Sequence, residues 1–131
     1  MTESIETQIR QVLERHHTIR LALLFGSLAK GTALPDSDLD LAVGADRPLD
    51  VDETIELISD LAIAIGRPVD LIDLSIVGEP LLGQILAGGR RIVGSNTRFA
   101  ELLLKHLYNQ EDFVPYQRRI LKERREAWIG R

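Results

Sequence analysis

The chain has 131 residues, of which 44% are hydrophobic, and a formal net charge of −4 at pH 7. This length suffices for one hydrophobic core and little more, so we expect a single domain over residues 1–131, with a core of about 19–93 and C-terminal helices over about 95–131. The absence of cysteine excludes a disulfide framework. The sequence shows no signal-type start and no apolar run long enough to cross a bilayer, so we expect a cytoplasmic protein without a membrane partner.

The charge is unevenly distributed along the chain. Residues 1–114 carry ten basic and eighteen acidic residues, whereas residues 115–131, the basic segment, carry six basic and two acidic residues. An acidic body is poorly suited to a phosphate backbone, so we expect no nucleic-acid partner. The basic segment is either a solvated helix face or a docking surface for an acidic protein, with Trp128 as its aromatic anchor.

Hydrophobic periodicity predicts helices and strands that alternate along the chain. Apolar residues at helical spacing predict an amphipathic helix between Ser4 and Thr18. The next predicted elements are, in chain order, an apolar strand over 21–25, a turn at Pro35-Asp36-Ser37, an alternating strand over 39–43, a helix from Asp50 to Gly66, a strand over 69–74, a helix over 80–86, an edge strand over 90–93 and a helix capped by Ser95 or Asn96. This order predicts an α/β (α+β) fold in which helices flank a mixed sheet and a helical tail follows.

The most informative motif connects the first two strands. Gly26 and Ser27 follow the first strand, and ten residues later comes Asp38-Leu39-Asp40. Side chains alternate along a strand, so the two carboxylates point to one face, about 7 Å apart. They repel each other unless a cation lies between them, and Mg²⁺ is usually held by one or two carboxylates plus substrate phosphates. Gly26 permits close backbone approach, and Ser27 can hydrogen-bond phosphate oxygens, especially if a helical turn starts at Leu28.

A third carboxylate from a neighbouring strand would complete a two-metal site. The strand after Gly66-Arg67-Pro68 carries Asp70 and Asp73, which have opposite parity, so at most one of them faces the Asp38–Asp40 pair. We choose Asp70, because it lies at the start of the strand between apolar neighbours. Asp73 lies near the strand's end and could cap the next segment.

On these residues the chain resembles the minimal nucleotidyltransferases of the DNA polymerase beta superfamily, the small kind often encoded beside a HEPN-domain toxin. The family pattern of Gly-Ser, ten residues, Asp-x-Asp and a later Asp falls on Gly26, Ser27, Asp38, Asp40 and Asp70. Lys30-Gly31 and Ser37 also match the family, which implies that Lys30 and Ser37 contribute to nucleotide binding, although a solvated Lys30 is an equal alternative. The similarity extends from about Ile19 to Val93.

The resemblance implies a nucleotidyltransferase-like fold and a Mg²⁺-dependent transfer of AMP from ATP to a hydroxyl, expected to be a tyrosine, of a cognate HEPN toxin. The chain would be the antitoxin of a type VII-like pair and form a hetero-oligomer with its toxin. One Mg²⁺ would be held by Asp38 and Asp40, and a second by this pair together with Asp70. Two alternatives stay open: a binding-only antitoxin that blocks its toxin sterically, and a transferase acting on a small molecule such as an aminoglycoside. The intact carboxylate set favours catalysis, and the lack of room for a substrate-covering domain disfavours the small molecule.

Overall fold

Four strands form one mixed sheet in the computed structural model of this chain, which describes residues 4–109. The strands are β1 (Leu21–Phe25), β2 (Leu39–Gly44), β3 (Val69–Asp73) and β4 (Arg90–Val93), in the spatial order β3-β2-β1-β4. β1 is antiparallel to both of its neighbours, whereas β2 and β3 are parallel. A parallel pair needs a crossover connection, which here is a helix. The predicted mixed sheet flanked by helices is confirmed.

The helices are α1 (Ile5–Glu14), α2 (Gly26–Lys30), α3 (Val51–Ile65) and α4 (Leu81–Gly88), and a further helix covers residues 96–109 of the described chain. The sequence predicted α1, α3 and α4 with small shifts at their ends. α2 was expected only as a helical turn, because five residues are too short for a periodic apolar pattern. Ser95, one of the two candidate caps, accepts a hydrogen bond from the Arg98 amide at 3.1 Å and so caps the helix that follows.

The main core lies between the sheet and the α1–α3 layer. It includes alternate residues of the two central strands together with apolar residues of both helices, among them Leu24, Leu39, Leu41, Val43, Ile9, Val12, Leu57 and Leu61. The intervening strand residues Leu23 and Ala42 are also buried, and α4 contacts β1. Strand parity therefore directs Asp40 to the face of the sheet opposite α1 and α3.

A capping box fixes the start of the crossover helix α3. The Asp50 side chain accepts a hydrogen bond from the Glu53 amide at 2.8 Å, and the Glu53 side chain accepts one from the Asp50 amide at 3.1 Å. Arg47 donates to the same Glu53 carboxylate at 2.7 Å. The hydrogen bond from Arg47, followed by that from the Asp50 amide, lowers the pKa of Glu53 from 4.5 to about 2.

The chain divides after Phe99 into two compact units. The basic segment and its Trp128 lie outside the described residues, so the docking role of this segment stays a prediction. Within residues 4–109, no helix is both long enough and apolar enough to span a membrane.

Glu53→Gln tests the charge at the start of α3. Because the folded-state pKa of Glu53 is lowered to about 2 from 4.5, its ionised form stabilises the fold above pH 4.5, and this contribution is lost as the pH falls from about 5 towards 2. Glutamine keeps the shape and an acceptor but not the charge. The stability difference between wild type and Glu53→Gln, measured by urea unfolding, should therefore be largest at pH 7 and narrow by pH 3.

Glu56→Gln, an exposed substitution on the same helix, is the matched control and should show no such trend. If the difference in unfolding free energy between wild type and Glu53→Gln is the same at pH 7 and pH 3, the ionised Glu53 carboxylate does not stabilise the fold.

Candidate active site

The parallel register of β2 and β3 brings Asp40 directly opposite Asp70. Neighbouring strands lie about 4.8 Å apart, and residues in register share a face, so the two carboxyl groups are close neighbours. Asp38 lies one residue before β2, with the same parity as Asp40. Burial, followed by the charge of Asp70 and then that of Asp38, raises the pKa of Asp40 above its ordinary value of 3.8. The charges of the other two predicted carboxylates therefore both act on the Asp40 carboxyl.

Asp73 points away from this group and has a structural role. Its carboxylate accepts hydrogen bonds from the Leu49 amide at 2.9 Å and from the Ser75 amide at 2.8 Å. It thus holds the loop before α3 and caps the segment after β3, which agrees with the choice of Asp70 over Asp73.

Gly26 makes room for the Asp40 carboxylate. A Cβ atom at Gly26 would lie 2.0 Å from Oδ2 of Asp40 and 2.9 Å from its Cγ, far inside van der Waals contact. The Gly26 φ of 71° is also a conformation that side chains disfavour. The sequence analysis expected Gly26 to allow a ligand to approach the backbone. The structure shows that the missing side chain leaves space for the Asp40 carboxylate.

Ser27 lies in the first turn of α2, directly after Gly26. Phe25, at the N-cap position, has no side-chain acceptor for the amides of this turn. The turn is closed at its other end by the left-handed Gly31, while the Ser27 carbonyl accepts a hydrogen bond from the Thr32 amide at 3.0 Å. Lys30 is exposed in the last turn of this helix. Ser27 and Lys30 are thus placed on one short element beside Asp40.

Ser37 belongs to a tight turn before Asp38. Its amide donates to the Leu34 carbonyl at 3.0 Å, and its hydroxyl accepts from the Leu34 amide at 2.7 Å. The hydroxyl thus stabilises the turn. The predicted contact of Ser37 with the nucleotide stays a prediction. Arg67, which the sequence interpretation did not single out, donates to this turn, and no local pattern could have revealed a contact across thirty residues.

The donor set suits Mg²⁺ only as part of a larger site. Within residues 4–109, no group of three or more acidic or histidine side chains is arranged so that it could hold a metal ion. Burial, followed by the negative charges of Asp70 and Asp38, nevertheless raises the pKa of Asp40. Oxygen donors of this kind fit Mg²⁺, which ordinarily takes its remaining ligands from water and substrate phosphates.

Gly26→Ala tests the packing of Asp40 against the turn. Gly31→Ala is the matched control, because Gly31 has a similar φ of 75° but nothing within 4 Å of an added Cβ. The clash should make Gly26→Ala less stable than Gly31→Ala by about 1–3 kcal/mol in urea unfolding. In an Asp40→Ala background this excess should shrink, since the clashing carboxylate is gone and only the Cβ of residue 40, at 3.2 Å, stays close. Equal losses of unfolding free energy for Gly26→Ala and Gly31→Ala in the wild-type background would refute the close packing of Gly26 against Asp40.

Comparison with known proteins identifies the family of this chain. The family of polymerase beta nucleotidyltransferases matches residues 7–98. The protein adenylyltransferase MntA of Shewanella oneidensis is 38% identical over 77 residues, which represent 59% of this chain and 55% of that protein. The chain thus aligns with about half the length of this curated relative.

Solved structures of toxin–antitoxin complexes contain similar chains. A chain in a toxin–antitoxin crystal structure with AMP-PNP is 31% identical, with a TM-score of 0.67 and coverage of 95% of this chain and 94% of that one. A chain in the structure of a tri-AMPylated Shewanella oneidensis HEPN toxin in complex with MNT antitoxin is 28% identical, with a TM-score of 0.62. The match covers 95% of this chain and 92% of that one. Since the family match extends over more than half of the sequence, the chain belongs to the polymerase beta nucleotidyltransferases.

Proposed function

We propose that this chain is a Mg²⁺-dependent nucleotidyltransferase that transfers AMP from ATP to a tyrosine hydroxyl of a cognate HEPN toxin, and so acts as its antitoxin. The observation that carries the proposal is the register of Asp40 with Asp70, beside Asp38 and the Gly26–Ser27 turn. This arrangement places acidic oxygen donors next to a helical turn whose first amides have no side-chain cap.

The relatives support the same reaction and partner. One similar protein is named as a protein adenylyltransferase, one similar structure contains AMP-PNP, and another contains an AMPylated HEPN toxin bound to an antitoxin. We therefore propose ATP as the nucleotide donor and a HEPN toxin as the acceptor, in a hetero-oligomer with this chain. A cytoplasmic setting fits a reaction that consumes ATP.

In the proposed reaction the tyrosine oxygen attacks the α-phosphorus of ATP. The new oxygen–phosphorus bond forms as the bond from the α-phosphorus to the bridging oxygen breaks, and pyrophosphate leaves. Asp70, exposed on the edge strand β3, takes the hydroxyl proton. Gly26 and Ser27 hold the phosphate oxygens, with Lys30 and Ser37 nearby, so the in-line attack gains from orientation.

Asp38, Asp40 and Asp70 would hold Mg²⁺, as two ions in our proposal. When bound, the ions neutralise the triphosphate and lower the pKa of the acceptor hydroxyl. Burial and then the like charges of Asp70 and Asp38 raise the pKa of Asp40, and a bound cation would offset these effects. Little covalent chemistry is then required of the protein, whose carboxylates, amides and hydroxyls bind and orient the reactants.

Asp38→Asn and Asp40→Asn should each nearly abolish AMP transfer while leaving the fold intact, because each removes a metal ligand. Without metal, Asp40→Asn should also hold or slightly raise stability at pH 7, since a carboxyl with a raised pKa is destabilised in its ionised form. Transfer would be measured with labelled ATP, Mg²⁺ and the HEPN toxin, and stability by thermal unfolding.

Asp36→Asn is the matched control, because Asp36 is exposed in the same turn two residues before Asp38. It should retain transfer. Near wild-type transfer by Asp38→Asn or Asp40→Asn would show that these carboxylates are not the metal site. A wild-type chain that neutralises the toxin without transferring AMP would favour the binding-only antitoxin, and labelling of an aminoglycoside instead of the toxin would favour the small-molecule transferase.

A further inference from the structure

The turn before Asp38 is tied to the segment that leads into β3. The Leu34 carbonyl and the Ser37 amide close a turn with Pro35 at its second position, the place where proline is favoured. A single nitrogen of Arg67, Nη1, donates to the Leu34 carbonyl at 2.8 Å and to the Ser37 carbonyl at 2.8 Å. Arg67 therefore joins the first and last residues of the turn to the start of the neighbouring strand.

The same segment also holds the residue on the other side of Asp38. The Leu39 amide donates to the Pro68 carbonyl at 2.8 Å. Asp38 thus lies between two backbone groups, the Ser37 carbonyl and the Leu39 amide, which are bound by the consecutive residues Arg67 and Pro68. Two residues further on, Asp70 pairs in register with Asp40. Residues 67–70 therefore supply one carboxylate, that of Asp70, and also bind the backbone on both sides of Asp38.

The contacts of Arg67 indicate that it acts through the backbone. Its Nη1 donates to two peptide carbonyls, and the charges that act on the Asp40 carboxyl are those of Asp70 and Asp38. Arg67 is half-buried, whereas Asp38 is exposed and has no strand neighbour of its own before β2. A ligand on a loop needs such support, because a misplacement of about 1 Å can reduce a rate by about 100-fold.

We propose that Arg67 is a positioning residue, which anchors the turn over residues 34–37 and thereby sets Asp38 for metal and nucleotide binding. The part concerning binding rests on the function proposed above. The anchoring itself is a property of the backbone and can be measured separately.

Hydrogen exchange tests the anchoring without reference to activity. In Arg67→Ala, the amides of residue 34 and of residues 36–39 should exchange faster by about fivefold or more, the scale of one lost hydrogen bond. Amides of α3 serve as an internal reference and should not change. Arg47→Ala is the control, since Arg47 also donates to a backbone carbonyl, that of Pro48 at 3.0 Å, but lies outside this turn. It should leave exchange over residues 34–39 unchanged. Unchanged exchange over residues 34–39 in Arg67→Ala would overturn the proposal.

Titration with Mg²⁺ and AMP-PNP tests the consequence for Asp38. Arg67→Ala should raise the Mg²⁺ concentration for half-maximal AMP-PNP binding by about tenfold, while the AMP-PNP affinity at saturating Mg²⁺ changes by less than about threefold. Arg67→Lys should recover part of this loss, because an ammonium group can still donate to the carbonyls. A loss of AMP-PNP affinity that persists at saturating Mg²⁺ would overturn the proposal in favour of a direct phosphate contact.

The two measurements separate this proposal from the proposed function. If wild type shows no Mg²⁺-dependent binding of AMP-PNP, the proposed function fails, and hydrogen exchange still decides whether Arg67 anchors the turn. If wild type binds and Arg67→Ala shows neither faster exchange nor a changed Mg²⁺ requirement, only the inference about Arg67 fails.

Discussion

The crowding of like charges around Asp40 is the constraint on which this site depends. The parallel pairing of β2 with β3 sets Asp40 opposite Asp70, and Asp38 approaches from the preceding turn. The hydrophobic core enforces this pairing, because a shift of one residue would expose Leu39, Leu41 and Val43 and bury the carboxylates. The fold thus holds the carboxylates together against their repulsion, which a bound cation would relieve.

The surrounding residues serve this arrangement in distinct ways. Gly26 leaves the space that the Asp40 carboxylate occupies, and Arg67 and Pro68 hold the backbone on either side of Asp38. Asp73 holds the loop that leads into α3, the crossover that makes β2 and β3 parallel. The two acidic side chains of β3 therefore differ, because Asp73 binds this loop whereas Asp70 lies opposite Asp40.

Strand periodicity explains what the sequence could predict. The alternation of side chains placed Asp38 and Asp40 on one face and allowed only one of Asp70 and Asp73 to face them, since parity depends only on position along a strand. The choice of Asp70 rested on its place at the start of the strand. The sequence did not reveal that Gly26 fits against Asp40, that the Ser37 hydroxyl closes its own turn or that Arg67 reaches across to it. These contacts depend on how loops from distant parts of the chain meet, and short loops leave no periodic pattern.

The central claim is that the carboxylates form a partial metal site that nucleotide phosphates complete. Isothermal titration calorimetry of AMP-PNP, with and without Mg²⁺, tests it most directly, together with Mg²⁺ titrated alone. The account predicts that Mg²⁺ and AMP-PNP each bind weakly alone and that the affinity for AMP-PNP is at least about tenfold higher with Mg²⁺ present. The phosphates supply ligands to Mg²⁺, and Mg²⁺ offsets the repulsion between the phosphates and the carboxylates. AMP-PNP binding that is equally tight in EDTA, or tight Mg²⁺ binding without nucleotide, would contradict it.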